Sequence, residues 1–125
     1  MRLTLLSETF VVCRLSPEQD VPQWVWRNRA TLLSVTYTAD ELSIVCPQSL
    51  LSSGVQYEGS WKAIRIQGPL DFSLTGILVA LAAPLAAAHI PIFALSTFDT
   101  DYILIQEQYS ERARSVLEEN GNVFV

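Results

Sequence analysis

The segment IPIFALSTFDTDYILIQE, residues 90–107, decides the fold class because it predicts two apolar strands around a polar connection. β-branched, aromatic and leucine residues dominate both runs, and the intervening STFDTD (96–101) is too long for a two-residue hairpin loop. That connection lacks the Gly, Asn and Pro residues that supply special backbone angles in most turns. We therefore expect a hairpin whose polar residues do more than reverse the chain.

The residues before this hairpin predict a strand and a helix. WKAIRIQG (61–68) has strand-like alternation and ends at a Gly-Pro break. Five apolar residues then recur at the spacing of one helical face: Leu74, Ile77, Leu78, Leu81 and Leu85. We expect Asp71 or Ser73 to cap this helix by accepting its unpaired N–H groups.

The residues after the hairpin complete a recognisable order of elements. ERARSVLEEN (111–120), preceded by Ser110 as a cap, predicts a second helix with a narrow apolar stripe. Gly121 suits the end of that helix, and NVFV (122–125) predicts a short final strand. The order β-α-β-β-α-β is that of the ferredoxin-like split unit.

The N-terminal half predicts a shorter version of the same unit. LTLLSETFVVCRLS (3–16) contains one strand or two, and SPEQ (16–19) begins a short helix that Pro22 ends or that starts again at QWVW. LLSVTYTADELSIVCP (32–47) predicts two strands about TAD. We predict an α+β protein of two tandem ferredoxin-like units, the first truncated, spanning residues 1–58 and 59–125.

Composition and charge exclude several classes of protein. The 125 residues carry a formal charge of −5 and only eight scattered basic side chains, which argues against nucleic-acid binding. Residues 72–98 are uncharged, but Pro84, His89 and a change from helical to alternating period argue against a membrane span. No signal-peptide pattern occurs in the first residues, so we predict a cytoplasmic protein.

The sequence also predicts no catalytic or metal site and no cofactor. Phosphate-loop, dinucleotide and nucleophile-elbow motifs are absent, and one His with two Cys residues cannot build a metal cluster. Cys13 and Cys46 lie in apolar runs as expected for buried free thiols. Asp99 and Asp101 form a poor metal site, although an acid–base pair in a small enzyme remains an alternative.

Two features favour ligand binding and assembly. GPLDFSLTG (68–76) and STFDTD (96–101) fall at one end of the predicted sheet, where a helix N-terminus suits a carboxylate and Asp101 suits an ammonium group. The residues alone equally allow simple helix capping and a solvated turn. The helix of residues 74–88 carries Ala on its other faces, so we expect a partner subunit or a second domain to cover it, and we predict a homodimer. A dimerisation module without any ligand is the alternative.

The stretch GPLDFSLTGILVALAAPLAAAHIPIFALSTFDTDYILIQEQ (68–108) resembles the small-molecule-binding ACT domains of a bacterial tandem family and of the animal cytosolic arginine sensors. LLSVTYTADELSIVCP resembles the first unit of those proteins, and aspartokinase regulatory domains are more distantly similar. The resemblance implies a regulatory sensor that binds an amino acid at an ACT–ACT interface, performs no catalysis and is read by a downstream protein.

By matched position, the resemblance implies eight ligand-proximal residues: Asp71, Phe72, Ser73, Leu74, Thr97, Phe98, Thr100 and Asp101. Asp101 would bind the α-ammonium, backbone N–H groups of residues 72–74 the carboxylate, and Phe98 would form an apolar wall. The arginine sensors hold four ACT units per chain and this chain two, so a comparable site implies a homodimer. Leu74 stands where those sensors have an acidic contact, which argues away from arginine as the ligand.

Overall fold

The chain folds into two compact units, according to a computed structural model that describes residues 1–27, 29, 31–71 and 74–125. The C-terminal unit contains Met1–Ser7 and Lys62–Val125, and the N-terminal unit contains Glu8–Trp61. A division after residue 58 therefore lies inside a strand, and the first seven residues group with the C-terminal half.

The described residues contain seven strands and two α-helices, as predicted for an α+β protein. The strands are β1 (Arg2–Leu15), β2 (Ser34–Tyr37), β3 (Leu42–Pro47), β4 (Gln56–Ile66), β5 (Ile92–Ser96), β6 (Asp101–Gln106) and β7 (Val123–Phe124). The helices are α1 (Ile77–Ala87) and α2 (Ser110–Glu119), the second of which begins at Ser110 rather than after it.

The C-terminal unit follows the predicted order β4-α1-β5-β6-α2-β7. β5 pairs antiparallel with β6, Ser96 lying opposite Asp101, and β5 forms an edge of the sheet beyond β6 and β4. β7 pairs in parallel with the start of β1, which neighbours β4. This long-range pairing explains why the first seven residues belong to the C-terminal unit.

One face of this sheet is covered by both helices. The core is built from buried residues of β4, β6, α1 and α2: Ile64, Ile66, Ile103, Ile105, Leu81, Leu85, Ala113 and Leu117. Of the predicted stripe on α1, Leu81 and Leu85 are buried, whereas Leu78 is exposed. Alternation along each strand therefore leaves Arg65 and Tyr102 on the face opposite the helices.

The N-terminal unit is built on antiparallel strands. β3 pairs with both β1 and β2, and the buried side chains include Val11, Cys13, Ile44 and Cys46. Both cysteines are free thiols, as predicted, and hydrogen bonding to Cys13 together with burial raises the pKa of the Cys46 thiol. Residues 16–19 form a turn instead of the predicted helix, and the described helical segments of this unit are the 3-10 helices Gln23–Trp26 and Gln48–Leu50.

None of the helices in the described ranges reaches the length and apolar character needed to cross a bilayer.

Candidate functional site

The N-terminus of α1 forms one side of the candidate site. α1 begins at Ile77 with Gly76 at the N-cap position, where φ is 75°, and no side chain caps it. The sequence pattern predicts Asp71 or Ser73 as the cap, but the N-cap residue is Gly76, whose left-handed conformation starts the helix later in the chain; Ser73 lies outside the described residues.

This late start leaves backbone donors at the helix end. The first α-helical hydrogen bond runs from the Ala80 N–H to the Gly76 carbonyl oxygen at 3.0 Å. The N–H groups of Ile77, Leu78 and Val79 therefore have no partner within the helix. The Leu74 N–H is already used, since it donates to the Asp71 carbonyl oxygen at 3.0 Å.

The β5–β6 turn, residues 97–100, forms the opposite side. The Thr97 N–H donates to the Thr100 carbonyl oxygen at 2.8 Å, and the Thr100 N–H donates to Thr97 Oγ1 at 3.4 Å. His89 is the only described non-glycine residue with positive φ, so no residue of this turn needs the backbone freedom of glycine. This geometry explains why a connection without Gly, Asn or Pro can reverse the chain here.

The turn is held firmly against the segment that follows β4. Thr100 is only 8% exposed, and its Oγ1 donates to the Ile66 carbonyl oxygen at 2.7 Å. The Leu70 N–H donates to the Asp99 carbonyl oxygen at 2.7 Å. Gly68 permits this approach, because a Cβ there would lie 3.0 Å from the Asp99 carbonyl oxygen. These contacts therefore fix the position of the turn.

Between the two sides lies a cavity of about 310 Å³, here called the α1 cavity. Six of the eight predicted ligand-proximal residues line it: Asp71, Leu74, Thr97, Phe98, Thr100 and Asp101. Phe72 and Ser73 lie outside the described residues. The structure thus brings together all the predicted residues that it describes.

Sequence reasoning missed other parts of the lining. Ser96, Gly76, Ile77 and Leu78 also line the α1 cavity, as does Asp99, which was treated only as a neighbour of Asp101. The sequence could have indicated Ser96 as a lining residue, because Ser96 ends β5 and the strand register places it directly opposite Asp101. Nothing in the local pattern indicated that Gly76 would start the helix.

Carboxylates dominate the charge of this cavity. Among its described lining residues, Asp71, Asp99 and Asp101 are acidic and none is basic. Ser96 Oγ donates to Asp101 Oδ1 at 2.6 Å, which fixes the orientation of that carboxylate. A positively charged group is therefore favoured near Asp101, whereas the N–H groups at the start of α1 supply positive potential on the other side of the cavity.

The rim of the α1 cavity is apolar and open to solvent. Phe98 is 80% exposed and Leu74 is 51% exposed, and both line the cavity. Isolated apolar side chains on a surface are common, but two large ones at the mouth of a polar cavity suit contact with a ligand or a second molecule.

Comparison with known proteins gives matches over nearly the whole chain. A family model described as an ACT domain matches residues 56–119, about half of the chain, and a second model for an N-terminal domain matches residues 8–53. A crystal structure of a protein from Agobacterium tumefaciens is 32% identical, with a TM-score of 0.91, and the match covers 99% of this chain and 91% of that one.

Two further relatives link the chain to the proteins that it was expected to resemble. The human protein named cytosolic arginine sensor for mTORC1 subunit 1 is 46% identical over 48 residues, which cover 38% of this chain and 15% of that protein. The ligand-free regulatory subunit of aspartate kinase from Thermus thermophilus is 11% identical with a TM-score of 0.67, covering 95% of this chain and 97% of that one; it shows a shared fold alone.

The resemblance drawn from residues 68–108 is thereby confirmed, and its fold is an ACT-like arrangement of an antiparallel sheet with two helices. Because the ACT model spans half of the chain and the Agobacterium tumefaciens relative aligns with nearly all of it, the protein belongs to the ACT-domain family.

Proposed function

We propose that this protein is a regulatory protein that binds a free amino acid in the α1 cavity. The observation that carries the proposal is that six residues expected to contact ligand line one cavity of about 310 Å³. That volume is at the lower end of the range for small-molecule sites, which suits a ligand of amino-acid size. The names of the relatives, an arginine sensor and a regulatory subunit, support a sensing role without catalysis in a cytoplasmic protein.

Asp101 binds the α-ammonium group in this proposal. Its carboxylate lines the cavity and is oriented by the hydroxyl of Ser96. A charge-assisted hydrogen bond from an ammonium group is stronger than one between neutral groups. Thr97, which also lines the cavity, adds a hydroxyl, and Phe98 provides the apolar wall.

The first turn of α1 binds the carboxylate. From the sequence, this role is expected of backbone N–H groups of residues 72–74; residues 72 and 73 lie outside the described residues, and the Leu74 N–H donates to the Asp71 carbonyl oxygen. The N–H groups at the start of α1 are better placed, since Ile77 and Leu78 line the cavity and have no acceptor within the helix. An amino acid would thus lie between the helix N-terminus and the β5–β6 turn.

A thermal-shift screen of the twenty amino acids against the full chain tests this function. We expect at least one neutral or basic amino acid to raise the melting temperature, because a ligand that binds only the folded state stabilises it. Aspartate and glutamate should have the smallest effect, since a further carboxylate would face Asp71, Asp99 and Asp101. A screen in which no amino acid shifts the transition, or in which the two acidic ones shift it most, contradicts the proposal.

A homodimer completes the site in this proposal, through an ACT–ACT interface between two copies. β5 is an edge strand whose residues IFALS carry no charge to discourage pairing. α1 exposes Val79 to 62% together with Ala83 and Ala87, so one chain leaves apolar helix surface uncovered. We further propose that the N-terminal unit is a truncated ACT unit in tandem, because its β2–β3 pair repeats the β5–β6 pair.

Replacing Ala83 with Glu tests the dimer. We expect light scattering at micromolar concentration to give the mass of a dimer for the native chain and of a monomer for Ala83→Glu. A charge buried in an apolar interface is costly, whereas the exposed Ala83 can accept Glu in a folded monomer. Gln108→Glu, at an exposed position outside α1, is the control and should remain dimeric. A native chain that is monomeric contradicts the proposal.

The alternative function is a dimerisation module without a ligand, which the exposed apolar residues of α1 also support. It predicts the same response to Ala83→Glu and no thermal shift from any amino acid. The two experiments together therefore separate the two functions.

A further inference from the structure

A second cavity, of about 350 Å³, lies against the β5–β6 turn, and no residue of helix α1 lines it. It is called here the Arg65 cavity. Ile64 and Ile66 are buried in the core under the helices, so Arg65 and Gln67 lie on the other face of the sheet. Tyr102, next to the buried Ile103, lies on that face as well. These side chains and the turn residues Thr97, Asp99 and Thr100 line the cavity.

Arg65 brings an uncompensated positive charge to this cavity. Within the part of the chain that the structure describes, the Arg65 guanidinium makes no salt bridge and no hydrogen bond. The side chain is exposed, while the strand residues on either side of it are buried, so its backbone position is fixed. An unpaired guanidinium at this position can bind a carboxylate through two parallel hydrogen bonds.

Further donors surround Arg65. Arg2 Nε donates to Gln67 Oε1 at 2.6 Å, which directs the carbonyl end of this amide toward Arg2 and leaves its NH₂ group as a donor. The Tyr102 hydroxyl is another donor in the lining. The cavity therefore has several groups that suit a carboxylate.

Asp99 brings the opposite charge to the same cavity. It is the only carboxylate among the described lining residues, and it forms no salt bridge with Arg65. Its main chain is held in place, because the Asp99 carbonyl oxygen accepts the Leu70 N–H. A positive and a negative group that line one cavity without pairing are complementary to a molecule that carries both charges.

We propose that the Arg65 cavity is a second ligand site, which binds a small zwitterion with its carboxylate on Arg65 and its ammonium group on Asp99. A simple anion is less well matched, because it would face Asp99 in a chain of net charge −5. The site does not depend on the function proposed for the α1 cavity, which contains Asp101 but not Arg65.

NMR titration of the ¹⁵N-labelled full chain tests this site with three probes at equal ionic strength: glycine, sodium acetate and methylammonium chloride. Glycine carries both charges and each other probe carries one. We expect glycine to shift the Arg65 Nε–H and Gln67 side-chain NH₂ signals, which belong to residues that line the Arg65 cavity and not the α1 cavity, at concentrations at least tenfold lower than acetate or methylammonium. The titration of the native chain overturns the proposal if acetate or methylammonium acts as strongly as glycine. It also does so if no probe shifts these signals at any concentration.

Matched variants then assign the charges. Arg65→Gln should weaken glycine binding, followed at the Gln67 side-chain NH₂ signals, at least tenfold, and Asp99→Asn should remove most of the preference for glycine over acetate. Arg27→Gln removes one exposed positive charge from the N-terminal unit and should leave these shifts unchanged. Asp101→Asn should also leave them unchanged, because Asp101 lines only the α1 cavity of the two. An equal loss in Arg65→Gln and Arg27→Gln overturns the site.

Discussion

We expect Asp101→Asn to weaken amino-acid binding in the α1 cavity about ten- to a hundredfold while leaving the fold intact. A hydrogen bond to a charged group contributes about 1.5–3 kcal/mol, and about 1.4 kcal/mol corresponds to a tenfold change in affinity. The fold should persist because Asn keeps the shape of the side chain, and its Oδ1 can still accept the hydrogen bond from Ser96 Oγ. Calorimetric titration with the amino acid identified by the thermal-shift screen measures the effect.

Asp99→Asn is the matched control for this substitution. Asp99 also lines the α1 cavity, but it lies within the turn, whereas Asp101 begins β6 opposite Ser96. We expect a smaller loss of affinity, followed at the amide signals of Ile77 and Leu78 so that the Arg65 cavity does not contribute. An affinity that does not respond to Asp101→Asn refutes the ammonium role. If both variants lose the same stability and no ligand binds, the turn is only a solvated connection.

The parts of the fold that were predicted are those in which local pattern and tertiary packing agree. β5, β6 and α2 lie where their periodicity placed them, because alternating or helical apolar residues face one core. The buried Ala113 and Leu117 are members of the stripe expected on α2. The location of the β5–β6 turn was predictable for the same reason, whereas the ligand-proximal residues on it were predicted from the resemblance to ACT domains and line the α1 cavity.

The parts that were not predicted depend on contacts distant in sequence or on a single backbone angle. The pairing of β7 with the start of β1 joins residues at the two ends of the chain, which no local window indicates. The start of α1 depends on the left-handed conformation of Gly76, which the spacing of apolar residues does not predict. In the N-terminal unit, the short helix expected at SPEQ is a turn, and the alternative start at QWVW is a 3-10 helix with Pro22 at its N-cap.

The Arg65 cavity illustrates the same limit. Arg65 appeared only as one of the scattered basic residues, because Asp99 and Tyr102, which line the same cavity, are more than thirty positions away in the chain. Strand alternation predicts that Arg65 faces away from the core, but not that the β5–β6 turn lies beside it. Cavities formed between a strand and a distant turn therefore require the structure.

Gly68→Ala should be the most damaging of the small substitutions near the site. A Cβ at this position would lie 3.0 Å from the Asp99 carbonyl oxygen and 3.2 Å from Thr100 Cβ. Because the first neighbour is backbone, the turn itself must move. Overpacking of this kind costs about 1–3 kcal/mol, and a weakened Leu70–Asp99 hydrogen bond adds about 0.5–1.5 kcal/mol. We expect urea unfolding to show a loss of about 2–4 kcal/mol in the free energy of unfolding.

Gly54→Ala separates a general glycine effect from displacement of the turn. Gly54 has a φ of 82°, so Ala there is strained, but nothing lies within 4 Å of the added Cβ. That substitution should cost about 1–2 kcal/mol of stability and leave ligand affinity unchanged. Gly68→Ala should instead lower both stability and affinity, since residues 97–100 line the α1 cavity and their position depends on close contact with Gly68. If Gly68→Ala is destabilised no more than Gly54→Ala and binds its amino acid normally, the turn tolerates displacement. Ligand binding then does not depend on a fixed position of residues 97–100.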